Sequence, residues 1–243
     1  MKGQLFFLTR IRRAFYGCLP RAERHNLGKT LIPDSHIPMP DLYYENLCGA
    51  DTGKIICGVD EVGRGPLAGP VIAVAAILPR TGLPEVITTR IRDSKQMSEK
   101  QREELFPALT QLCCYAVAEA NVQEILQLNI LYASMLAMQR AVAGLAIKPD
   151  HALIDGNRAP KLDCTAMPIV KGDSQSLSIA AASIIAKVTR DRLMKKLALE
   201  HPGYGWERNA GYGTAEHLAA LHELGVTVWH RDGFAPVAMA KRG

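Results

Sequence analysis

The chain has 243 residues, with 29 Lys and Arg against 24 Asp and Glu, a formal net charge of +5. That length suits one large domain or one domain with tails, and a hydrophobic content of 48% is ample for a core. No apolar stretch reaches the ~18 uncharged residues of a membrane span, and the basic excess is compatible with a nucleic-acid partner without identifying one.

Residues 1–54 differ in composition from the rest. The first thirty carry seven Lys and Arg against one acid, Glu23, and residues 31–53 are rich in Pro, Asp and Tyr with no clear period. This reads as an unstructured basic extension, with Met39 as an alternative start; Leu5–Leu8 is too short for a signal-peptide core. The six cysteines form no Cys-x-x-Cys pair, so a zinc site is not expected. Cys57 and the Cys113-Cys114 pair sit in apolar runs, as free thiols of a reducing, cytoplasmic protein do.

From Ile55 the elements alternate. Residues 54–59 and 71–78 are short apolar runs bounded by turn residues, hence two buried strands around the Gly-rich turn Gly63–Pro70. Residues 91–112 hold a helix whose Ser98 and Gln101 form a capping box. Residues 112–120 give a third strand, 122–128 and 131–145 two helical stretches, 151–154 a fourth strand and 168–170 a fifth. Residues 178–199 are a strong helix stopped by Pro202-Gly203, and 215–224 another stopped by Gly225. The order argues a layered α/β domain.

Carboxylates stand at element ends. Asp60 and Glu61 close the first strand, and serving one site together requires that strand to bend there, because side chains alternate faces. Asp155 leaves the fourth strand before Gly156, where an ordinary Asp-Gly turn is the alternative. Asp173 precedes the long helix, where a cap residue is the alternative. Asp191 lies mid-helix and reads as the surface ion-pair partner of Lys195.

The ungapped string Gly58-Val59-Asp60-Glu61-Val62-Gly63-Arg64-Gly65-Pro66-Leu67-Ala68-Gly69-Pro70-Val71 resembles the signature of ribonuclease HII, the type 2 ribonuclease H. Ala152–Asn157 and Lys171–Lys187 resemble two further motifs of that family, and the likeness runs from about Ile55 to Val237. It implies a ribonuclease-H-like fold, with a mixed five-stranded sheet flanked by helices and a helical C-terminal part, over residues 55–243. It implies an acidic quartet of Asp60, Glu61, Asp155 and Asp173, catalytic and holding Mn²⁺ or Mg²⁺; oxygen ligands suit those ions better than zinc. It implies reading of the ribose 2′-OH by Gly63-Arg64-Gly65, contact of Tyr212 with the junction of ribo- and deoxynucleotide, and Lys95 and Lys171 near phosphates. The 2′-OH is what separates RNA from DNA at a site. His217 and His230-Arg231 also fit the family pattern, with structural hydrogen bonding as the alternative. The implied activity is endonucleolytic cleavage of the RNA strand of RNA–DNA hybrids and incision 5′ of single ribonucleotides in duplex DNA. The expected products carry 5′-phosphate and 3′-OH ends, and the expected enzyme is a monomer with no membrane partner.

Three other readings fit less well. Ribonuclease HIII lacks the Gly-Arg-Gly triplet and carries a platform domain for which 54 residues are too few. A binding module with a decayed site would not keep four acids. A phosphate-loop nucleotide binder needs Gly-Lys-Ser/Thr, which the turn lacks.

Overall fold

The computed structural model describes residues 39–241. Five strands form one sheet in the order β3-β2-β1-β4-β5: β1 Ile56–Val62, β2 Val71–Ile77, β3 Cys114–Ala120, β4 His151–Asp155 and β5 Thr165–Ile169. β1 pairs antiparallel with β2 and parallel with β4, which makes the sheet mixed. Eight helices accompany it among the described residues: α1 Tyr43–Leu47, α2 Glu85–Thr88, α3 Glu99–Leu112, α4 Val122–Ala143, α5 Leu177–Glu200, α6 Trp206–Asn209, α7 Ala215–Leu224 and α8 Ala235–Ala240.

The central strands are buried on both faces, so they read as continuous apolar runs rather than alternating ones. Cys57, Val59, Ala73, Ala152 and Ile154 pack with Ala133, Ala137 and Met138 of α4 on one face. On the other, Val74 and Ala76 meet Leu105 and Leu109 of α3 and Ala181, Ile184 and Ile185 of α5. Gly58 lets α5 rest on β1 directly: a Cβ there would lie 2.2 Å from the Ile179 backbone nitrogen and the Ser178 carbonyl carbon.

The predicted helix starts hold. Ser98 and Gln101 form the capping box of α3, and Asn121 with Glu124 forms another at α4. The two helical stretches expected at 122–128 and 131–145 are the two parts of α4, which break at Asn129, φ 64°.

Three expectations are corrected. Residues 39–54 are not part of an unstructured extension. Leu177 N–H donates to the Asp41 carbonyl at 2.9 Å, Cys48 packs with Ile56, Leu153 and Ile179, and Glu45 is buried. The segment's Pro and Tyr content hid a helix of only five residues, too short for a period. Residues 1–38 lie outside the described residues. Second, β1 does not bend at its acids: Asp60 pairs with Val74 and Glu61 with Ala73, and the chain turns only at Gly63, φ 90°. Third, Asp191 pairs with Lys187 at 2.6 Å and lies 3.8 Å from Arg102, whereas Lys195 reaches Glu99 on α3. Lys187 and Asp191 are themselves an i,i+4 pair on α5, in the direction opposite to Lys195, while Arg102 and Glu99 come from the packing of α3 on α5, which helical spacing does not reveal.

Candidate active site

Register builds the acidic cluster. Val59 of β1 lies opposite Ile154 of the parallel β4, so the next residues, Asp60 and Asp155, emerge side by side on the same face. Ile169 of β5 lies opposite Asp155, and the chain then turns through Lys171, φ 56°, into a short 3₁₀ turn that carries Asp173. The Gly172 N–H donates to Asp155 Oδ1 at 2.7 Å, tying that turn to the strand end. Asp60, Asp155 and Asp173 thereby offer oxygens that all lie within 4.8 Å of one another.

Glu61 stands beside this trio rather than in it. With β1 unbent, Cys57 and Val59 face α4 while Gly58 faces α5, and strand alternation puts Asp60 and Glu61 on opposite sides of β1. Its N–H donates to Asp60 Oδ1 at 2.7 Å, and Arg64 donates to its Oε1 at 3.2 Å. Glu61 Oε2 is buried and meets no hydrogen-bond partner among the described residues.

The electrostatics are those of a site that favours bound positive charge. Burial, then the charges of Glu61 and Asp155, holds Asp60 well above the usual carboxylate range; the nearby Ser183 hydroxyl and the charge of Lys95 oppose this. Burial pushes Glu61 up to about 7 against the pull of Arg64, with Asp155 adding to the rise. Burial also raises Asp173, and Lys95, which donates to its Oδ2 at 3.2 Å, offsets part of that. Two such charges ~4 Å apart repel by roughly 4 kcal/mol at an effective dielectric near 20. Divalent cations fit this set: three clustered carboxylates, a neighbouring fourth with an orphaned oxygen, and no nitrogen or sulfur donor among them.

The other residues predicted for the site frame it. Arg64 and Gly65 are exposed at the tip of the turn after β1, Lys95 and Lys171 are exposed beside Asp173, and Tyr212 is 45% exposed. Tyr212 closes over the turn, since a Cβ on Gly65 would sit 3.3 Å from its ring.

Behind the turn lie groups whose roles were not legible from spacing. Arg190 and Arg231 are each 1% exposed, and neither pairs with an acid among the described residues. Burial lowers Arg190 to about 10; burial, with Arg190 nearby, lowers Arg231 to about 9. Both spend their N–H groups on backbone carbonyls. Arg190 donates to Pro70, Ala68 and Ala210, and Arg231 to Gly69 at 2.8 Å, Arg64 at 3.0 Å and Gly63 at 2.6 Å.

His217 and His230 take the structural alternative. The Thr227 N–H donates to His230 Nδ1 at 2.9 Å, which leaves His230 Nε2 as the donor toward His217 Nε2 at 3.1 Å. That nitrogen also accepts from Trp206, so His217 Nδ1 donates to the Tyr212 carbonyl at 2.9 Å. Both rings are neutral in this chain, consistent with burial lowering His217 and lowering His230 to about 4.

A five-stranded mixed sheet whose strand ends gather carboxylates defines a ribonuclease-H-like phosphodiester hydrolase. The family profile described as Ribonuclease HII matches residues 57–236, and the chain belongs to that family. It is 54% identical over 200 residues to Ribonuclease HII of Paramagnetospirillum magneticum, covering 82% of this chain and 98% of that protein. It is 53% identical over 189 residues to Ribonuclease HII of Jannaschia sp., covering 77% and 93%. Among solved structures, ribonuclease H2 from Pyrococcus horikoshii superposes with a TM-score of 0.67 at 27% identity, covering 77% of this chain and 97% of that one. The ribonuclease HIII, decayed-module and nucleotide-binder readings are thereby set aside. No described helix is long and apolar enough to cross a membrane.

Proposed function

We propose that this ribonuclease H cuts the RNA strand of RNA–DNA hybrids and also incises duplex DNA on the 5′ side of a single ribonucleotide, leaving 5′-phosphate and 3′-OH ends. The observation that carries this reading is the meeting of Asp60, Asp155 and Asp173 beside the Gly63-Arg64-Gly65 turn. In this reading Asp60, Glu61, Asp155 and Asp173 hold Mg²⁺ or Mn²⁺. Two such ions, when bound, would supply charge stabilisation to the attacking and leaving oxygens of the phosphodiester.

The chain's own groups do the rest. Exposed backbone at Arg64 and Gly65 meets the ribose, and a Cβ at Gly65 would press to 3.3 Å from the Tyr212 ring, which would have to give by a few tenths of an ångström. Tyr212 packs on the sugar at the junction. Lys95 and Lys171 meet phosphates, which position the duplex without reading its sequence. The catalytic unit in this proposal runs from Met39 onward, taking in the α1 segment as well as residues 55–243, and the enzyme works as a cytoplasmic monomer.

The test is cleavage of a DNA duplex carrying one ribonucleotide, with and without Mg²⁺ or Mn²⁺, with the ends mapped against synthetic markers. Metal-dependent cutting 5′ of the ribonucleotide is expected. A cut on the 3′ side, or equal cutting of an all-DNA duplex, would overturn the reading.

A further inference from the structure

The carbonyls of the Gly63–Pro70 turn point inward. Those of Gly63, Arg64 and Gly69 end on Arg231, and those of Ala68 and Pro70 on Arg190. The described peptide bonds are all trans. Across a planar trans peptide the N–H lies opposite the C=O of the preceding residue. A Gly63 carbonyl turned inward therefore turns the Arg64 N–H outward, and an inward Arg64 carbonyl does the same for the Gly65 N–H. Neither N–H meets a partner among the described residues, and both residues are exposed while their neighbours Gly63 and Pro66 are buried.

Arg231 is built to hold this arrangement. Its guanidinium gives a hydrogen bond from each nitrogen, stacks 5.3 Å from the Phe234 ring centroid, and is itself followed into position by its own N–H, which donates to the Leu67 carbonyl at 2.8 Å. Arg190 lies directly beneath Gly63, where a Cβ would fall 2.1 Å from Nε. A buried cation without an acid is costly, and one that spends its donors on a single turn fixes that turn's geometry.

We propose that Arg231 is a positioning residue for ribose discrimination: by holding the Gly63 and Arg64 carbonyls it presents the Arg64 and Gly65 N–H groups as a fixed pair of donors to the sugar 2′-oxygen. This rests on the reading of that turn given above. Lysine at this position keeps the charge but offers no planar fork, so it holds at most part of the set.

The experiment is competition cleavage by the full chain in Mg²⁺. Labelled duplex with one ribonucleotide is cut in the presence of unlabelled competitor, either the same duplex or its all-DNA counterpart. Arg231→Lys, shown folded by circular dichroism, should lower the preference for the ribonucleotide competitor about tenfold, the worth of one or two well-made hydrogen bonds, through KM rather than kcat. A folded Arg231→Lys with wild-type preference overturns the assignment to Arg231. A wild-type enzyme without preference overturns the reading of the turn itself. Should Arg231→Lys not fold, hydrogen exchange on the wild-type chain in EDTA decides. The Arg64 and Gly65 amides should slow with the ribonucleotide duplex and not with all-DNA, and equal exchange overturns the proposal.

Discussion

Glu45 accepts the hydroxyl of Ser176 at 2.6 Å across 131 positions of sequence, and the same oxygen accepts the Ser178 N–H at 2.8 Å. A carboxylate from α1 thus satisfies the first turn of α5, which has no acid of its own there. The bond joins residues ahead of the family match to the helix that follows Asp173. Removing it leaves buried donors without a partner. Glu45→Ala is expected to cost ~1–3 kcal/mol. A chain starting near Asp51, which lacks α1 altogether, is expected to lose more, both being measured against a chain starting at Met39. Thermal denaturation of the three proteins checks this.

Asp155→Asn keeps the side chain's size and removes its charge from the trio. Cleavage is expected to fall by at least ~100-fold with an unchanged circular dichroism spectrum. Asp191→Asn should behave in the opposite way. Asp191 sits between Lys187 and the buried Arg102, whose Nε already lacks a partner. Its loss should lower the melting temperature and leave cleavage per folded molecule intact. Parallel melting and single-turnover assays separate the two.

The raised Glu61 makes stability depend on pH. Its folded pKa near 7 exceeds the ordinary 4.5, so the folded state binds more protons through that window and loses stability as pH rises from about 4.5 to 7. His230, lowered to about 4, works the other way below pH 6.5, so the wild-type profile alone does not isolate Glu61. Glu61→Gln should melt higher than wild type in EDTA at pH 8 and equally at pH 4. Added Mg²⁺ should close the gap at pH 8 by stabilising only the wild type. Melting curves at the two pH values, with and without Mg²⁺, read this directly.

Tyr212→Ala removes the ring that covers Gly65, whereas Tyr212→Phe keeps it. Alanine is expected to reduce kcat/KM at a lone ribonucleotide roughly 10- to 100-fold, the worth of one aromatic packing contact, and phenylalanine several-fold at most. The Mg²⁺ concentration for half-maximal cleavage should not move in either variant.

The first four strands, the long helices and the ends that carry Asp60, Asp155 and Asp173 were legible because each is a local pattern: an apolar run, a cap, an acid before a turn. The fifth strand, expected at 168–170, instead spans Thr165–Ile169, a half-exposed edge with no apolar run. The division of labour between Asp60 and Glu61 was not. It depends on β1 staying paired with β2 through Val62, a tertiary fact. Arg190 and Arg231 were invisible as a pair for a similar reason, since all their carbonyl partners but Ala210 lie over a hundred residues away. Glu45 lay in a stretch whose helix is too short to announce itself.

The spacing of the acidic site is set where there is no side chain. Gly58, two positions before Asp60, lets the α5 backbone seat on β1, and the first residues of α5 follow directly from the turn that carries Asp173. A single methyl group at residue 58 would act as a shim, lifting that helix and prising Asp173 away from Asp60. The gauge of the acidic cluster is thus cut into the strand by the smallest residue available, at a point outside the cluster itself.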